Sequence, residues 1–154
     1  MTTLIGVDIT RTSATPEFTP GIAYTAQNGK VYRYVKFNNG VGNVAAVAGN
    51  MSYIYAVSGT SAGQTAEVTM DLTDTQGIGA GAFQSVPADG EYCWVQAKGV
   101  ATLTTALTAG ADGNALTPTG AGDGTLDVSA AVTDSICAYA IDADAKIVFL
   151  DCPI

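Results

Sequence analysis

Gly59-Thr60-Ser61-Ala62-Gly63 matches G-x-S-x-G, the turn that presents a nucleophilic serine in many hydrolases. That chemistry needs a strand running into a helix and a histidine to take the hydroxyl proton. The chain contains no histidine, and the following Thr65–Leu72 segment alternates like a strand. The pattern therefore reads as a turn. Cys93, Cys137 and Cys152 are odd in number, widely spaced and without a C-x-x-C pair. They make neither a disulfide framework nor a zinc site, so buried free thiols are expected. Asp123 and Asp127 in GDGTLD resemble a fragment of a calcium loop, but the remaining ligand positions are absent. The aspartates between Asp112 and Asp127 read as solvated turn residues. No G-x-x-x-x-G-K cradles a phosphate, and Asn50-Met51-Ser52 carries no weight as a glycosylation tripeptide. The expectation is a protein with no catalytic residues, no cofactor and no metal.

Partner classes are bounded by charge. Six Lys and Arg stand against fourteen Asp and Glu, a net charge of −8. Such a field repels phosphate backbones, so nucleic acid is not an expected partner. No apolar run approaches the ~18 residues of a membrane span, so no membrane partner is expected either. The opening MTTLIGVDITRT lacks a basic region followed by an apolar one, so synthesis in a cytoplasm is expected. Lys30, Arg33 and Lys36 cluster in sequence; they read as a solvated strand face or as a docking patch for an acidic protein surface.

The elements that would position these groups are strands. Hydrophobic residues make up 47% and charged residues 13%, enough apolar surface to rule against disorder. Residues 22–26 and 30–37 flank Gln27-Asn28-Gly29. The Asn-Gly pair predicts a hairpin with a type I′ turn. Residues 51–58 and 65–72 read as further strands. Tyr92, Trp94 and Gln96 share one face of the next strand, with Cys93, Val95 and Ala97 on the other. Lys98-Gly99 predicts a bulge, after which 100–108 continues as strand. Residues 109–124 read as a Gly-rich meander. Residues 135–141 and 146–150 are apolar on both faces and predict a central hairpin. Residues 41–51 allow at most a short helical turn. Eighteen glycines among short Thr- and Val-rich runs point to an all-β fold, a compact antiparallel β-sandwich or barrel.

Residues 1–20 are Thr-rich and carry Pro16 and Pro20, and they read as an extended N-terminal arm to a single β domain spanning 21–154. Leu4, Ile5, Val7, Ile9 and Phe18 are its apolar residues, suited to contacting a neighbour by strand addition. Deleting the arm is expected to leave a folded domain. Trp94, with Tyr92 and Gln96, is expected in the core or at an interface.

The stretch Gly90-Glu91-Tyr92-Cys93-Trp94-Val95-Gln96-Ala97-Lys98-Gly99-Val100 resembles the "YGWVQxxGv" signature of small tailed-phage virion proteins, notably capsid decoration (cement) proteins. Gly29–Val35 is similar to their "G-x-x-Y-x-Y-V" strand, and Ala109–Asp127 to the loop after the signature. The likeness covers roughly residues 21–141 in pattern, and Trp-Val-Gln is its specific part. Cys93 stands where a small glycine is common. The resemblance implies a β-rich, non-enzymatic virion component on the outer capsid surface. It also implies a homotrimer and, as partner, the major capsid protein. A head fibre base or tail protein is the alternative within virions. A carbohydrate-binding β-sandwich is the alternative outside them, since strand-face aromatics can stack on sugars.

Overall fold

The structure, a computed structural model, describes residues 6–56 and 66–153. Its strands are β1 (Ala23–Thr25), β2 (Val31–Phe37), β3 (Met51–Tyr55), β4 (Glu67–Thr69), β5 (Thr75–Phe83), β6 (Tyr92–Thr102), β7 (Ala115–Thr117), β8 (Asp127–Val128), β9 (Ala138–Asp142) and β10 (Ile147–Asp151). Strands β2, β4, β3, β5 and β6 are neighbours in that order, and pairing of β2 with β6 closes them into a five-stranded barrel. Strand β1 lies outside on β2, and β10, β9, β7 and β8 continue outward from β6. The described pairings are antiparallel except β2 with β4. The fold is all-β, as the composition predicts.

The first hairpin forms where Asn-Gly places it, with Thr25 opposite Val31. Its turn differs from the expected type. Gly29 takes positive φ (82°), but Asn28 does not. Instead Gly29 N–H donates to the Ala26 carbonyl at 3.0 Å, and Asn28 Oδ1 accepts the Lys30 amide at 3.1 Å. Three residues link the strands rather than two, and one left-handed glycine suffices. The helical turn allowed over 41–51 is replaced by turns and extended chain. A 3-10 turn, Leu72–Asp74, follows Asp71, whose carboxylate accepts the Thr73 amide. Strand β6 ends at Thr102 rather than running on to 108, because Thr104 turns away to bond the Ala48 and Gly49 carbonyls.

The barrel wall is buried on both faces. Its interior holds Val35, Phe37, Ile54, Val68, Phe83 and Val95. A second core lies outside the wall: Met51, Tyr53, Ala97 and Leu103 pack beneath Leu116, Ala138, Val148 and Leu150 of the flanking strands and their neighbours. A third core forms on the outer side of β2 and β6, from Tyr32, Tyr34 and Trp94. Side chains alternate along each strand, so β3 sends Tyr53 outward to the second core and Ile54 inward to the barrel.

Strand β5 escapes the sequence reading because TQGIGAGAF carries three glycines, which disfavour strands. Two of them are dictated by close approach. A Cβ on Gly79 would sit 2.7 Å from Cys137 Sγ, and one on Gly81 would overlap the Gln96 carbonyl. Gly81 also holds φ at 140°, a conformation side chains rarely adopt. The glycines let β5 lie against β6 and the second core at backbone distance.

Hairpin β9–β10 is internal in strand order, between β6 and β7. It is not buried on both faces as its composition predicts. Ala138, Ala140, Val148 and Leu150 point inward and are buried, whereas Tyr139, Ile141 and Phe149 stand on an open outer face. Among the described residues no further layer covers that face.

Candidate functional site

The chemistry-bearing residues are dispersed into structural roles. The G-x-S-x-G segment, 59–63, lies outside the described residues. Cys93 is enclosed in the barrel, and burial, with a smaller contribution from Glu91, pushes its thiol up to about 12. Cys137 and Cys152 adjoin one another in the second core, where Cys152 Sγ donates to the Cys137 carbonyl at 3.6 Å. The neighbouring Cys137 side chain, reinforced by burial, holds the Cys152 thiol well above its ordinary range. Thiols so placed are poor nucleophiles. Among the described residues no group of three or more His, Cys, Asp or Glu is arranged to hold a metal. Asp123 and Asp127 bond backbone instead: Asp123 Oδ1 accepts the Leu72 amide and Asp127 Oδ1 the Val128 amide, both at 2.8 Å.

Asp71 and Tyr53 are buried polar anchors that the sequence does not single out. Asp71 carboxylate oxygens accept the amides of Gly42 (2.8 Å) and Thr73 (3.0 Å) and the Thr73 hydroxyl (2.6 Å). Desolvation works to raise its carboxyl, but these hydrogen bonds together outweigh it and hold the group below its ordinary value. Asp71 thereby ties the 38–43 loop to the barrel. The Tyr53 hydroxyl donates to the Thr125 carbonyl (2.6 Å) and accepts the Thr125 amide (3.0 Å). Burial raises this phenol far above its ordinary value. It pins the 122–125 turn over the second core.

The segment read as an arm is described from Gly6 onward, and it lies on the barrel as a strap. Leu4 and Ile5 fall outside the described residues. Val7, Ile9 and Phe18 pack against Tyr32, Tyr34 and Trp94. Phe18 meets Tyr34 and Trp94 edge-on, with ring centroids 5.3 and 5.4 Å apart. Backbone bonds hold the strap down. Ser13 and Tyr92 exchange N–H···O bonds of 3.1 and 2.8 Å, and the Gly21 amide donates to the Tyr34 carbonyl at 2.7 Å. The Tyr34 hydroxyl accepts the Glu17 amide at 3.1 Å. The few apolar residues of a Thr- and Pro-rich segment gain burial here by crossing an aromatic floor.

Tyr92, Trp94 and Gln96 share one face of β6 as expected, and the strap covers it. Trp94 is 1% exposed, Tyr92 is half-buried, and Gln96 is buried with its amide donating to the Val100 carbonyl at 3.0 Å. The face is part of the chain's own core. Lys30, Arg33 and Lys36 are not brought together. Lys30 and Lys36 stand at opposite ends of β2, and Arg33, on the other face, is buried near Gly21, with desolvation lowering its pKa. Strand alternation and six residues of rise, about 20 Å, separate what sequence proximity groups.

An open groove runs from Lys30 past Phe83 and Gln96 to Val100 and Thr102. Its lining contains no carboxylate and no thiol, and Lys30 is its charged residue. No family model, curated protein or solved structure matches the chain. What the geometry defines is a strapped five-stranded barrel with a flanking sheet.

Proposed function

We propose that this chain is a tailed-phage capsid decoration protein. It binds the outer surface of the head, bridges major capsid protein subunits and stabilises the shell by accumulated binding rather than catalysis. The observation that carries the reading is the position of β6. The stretch that resembles the decoration-protein signature is the strand at which all three cores meet: Trp94 faces the strap, Val95 the barrel interior and Ala97 the second core. A signature serving a beam of the scaffold fits a load-bearing part, whereas a catalytic signature would converge polar groups on a cleft. Net charge −8 fits a part placed outside a DNA-filled shell. Many copies, each held at several points, raise the pressure a shell withstands.

Co-sedimentation with purified heads lacking the protein tests the proposal. Saturable binding to the outer surface, with heads more resistant to heat or chelator, is the expected result. Absence of binding to intact heads would sink it. The carbohydrate-binding reading draws on Tyr139 and Phe149, neighbouring aromatics on an open sheet face. Glycan-array binding lost on replacing either ring would favour that reading instead.

A further inference from the structure

The outer face of β6, β10 and β9 carries an apolar row that none of the described residues covers. Val100 is directly opposite Phe149, and Phe149 is directly opposite Tyr139, so the three stand side by side across adjacent strands. Ile141 lies two residues further along β9. Each is close to half exposed: Val100 45%, Phe149 46%, Tyr139 47% and Ile141 47%. A groove bounded by Lys30, Val31, Gly99 and Phe149 continues the patch toward the first hairpin. Half of two aromatic and two aliphatic side chains amounts to roughly 350 Å² of accessible apolar surface. Patches of this size on a single chain are commonly binding surfaces. A standard interface covers about 800 Å² per partner, a little over half of it apolar. The row therefore supplies most of the apolar centre that one such contact needs.

Charge indicates what covers it. Strands β6, β9 and β10 and the β9–β10 turn carry Lys98, Lys146, Asp142, Asp144 and Asp151, and Lys30 lines the adjoining groove. That is three cations against three anions, or four with Asp112, whose carboxylate accepts the Ala143 amide. Lys98 and Asp151 already pair across β6 and β10 at 3.0 Å. The remaining residues hold three cations against ten anions, so nearly the whole net charge lies elsewhere. Two copies of a chain with net charge −8 repel through most of their surface. On this face, where cations and anions nearly balance, two copies meet without a large like-charge excess.

We infer that the Val100–Phe149–Tyr139–Ile141 face is the self-association surface of this protein, and that its occupant is the same face or an adjoining face of a second copy. The inference stands on this surface alone and does not require the capsid reading. Sedimentation velocity of the full chain, without any capsid, tests it across a concentration series. The wild type is expected to associate at micromolar concentration. Phe149→Lys should weaken that association about 30-fold or more, the effect of losing a central hot spot. Val132→Lys, at a fully exposed site outside the row, should leave it unchanged. Circular dichroism reports whether Phe149→Lys folds; Val100→Lys, at the edge of the row, serves in its place if it does not. A wild type that stays monomeric to about 100 µM overturns the inference. So does an oligomer indifferent to both row variants, or one disrupted equally by Val132→Lys.

Discussion

Replacing Trp94 with alanine probes the joint between strap and barrel. Trp94 is 1% exposed, and its ring lies 5.4 Å from Phe18, 5.1 Å from Tyr34 and 6.3 Å from Tyr24. Truncating a buried tryptophan costs about 3–5 kcal/mol. Aromatic pairs contribute about 0.5–1.5 kcal/mol each beyond area burial, which places this site at the upper end. Against a typical stability of about 5–15 kcal/mol, the variant loses a third or more of what holds it folded. Trp94 is the chain's sole tryptophan, so unfolding in urea should be followed by far-ultraviolet circular dichroism. The midpoint should fall with little change in slope. A double-mutant cycle with Phe18→Ala should return a coupling of about 0.5–1.5 kcal/mol. A loss below about 1 kcal/mol, or a coupling near zero, would refute the docking of Phe18 on Trp94. By the same reasoning, deleting residues 2–20 uncovers Trp94 and Tyr34 and should destabilise the barrel, contrary to the expectation for a free arm.

Tyr53→Phe removes both hydrogen bonds to Thr125 and should cost about 1–3 kcal/mol, read as a lower denaturation midpoint; an unchanged midpoint would show that the 122–125 turn is held by other contacts. Asp71 has a native pKa below its ordinary 3.8, so its stabilisation is fully present above that value and is lost as pH falls through the lowered native one. Acid titration of stability should therefore be shallower below pH 3.8 in Asp71→Asn than in the wild type, and parallel curves would contradict the assignment. Cys93, Cys137 and Cys152 are buried, so a thiol reagent should label them only at the rate of opening or unfolding; immediate labelling of any one in the native protein would place it at the surface.

The parts of this fold that show in the sequence are those whose signals are local. The 22–37 hairpin is marked by Asn28-Gly29, and the two-faced character of β6 by strict alternation around Trp94. Strand β5 is hidden because Gly79 and Gly81 answer to Cys137 and Gln96, residues far along the chain, and not to any strand preference. Strand β7 is similarly lost among glycines, though Leu116 is fully buried. Docking of the strap is a matter of three apolar residues finding an aromatic floor assembled from β1, β2 and β6. The Lys30–Arg33–Lys36 grouping failed to become a patch because alternation sends Arg33 to the opposite face. Hairpin β9–β10 announces apolar surface on both sides, but the described residues cover only one of them.

Electron cryo-microscopy of tailed-phage particles assembled in the presence of this protein tests the proposed function most directly. Hundreds of copies of a barrel-shaped density are expected on the outer surface of the head, each touching more than one major capsid subunit. Particles with no such density on the head, or with only a handful of copies at the tail or at a fibre base, would contradict it.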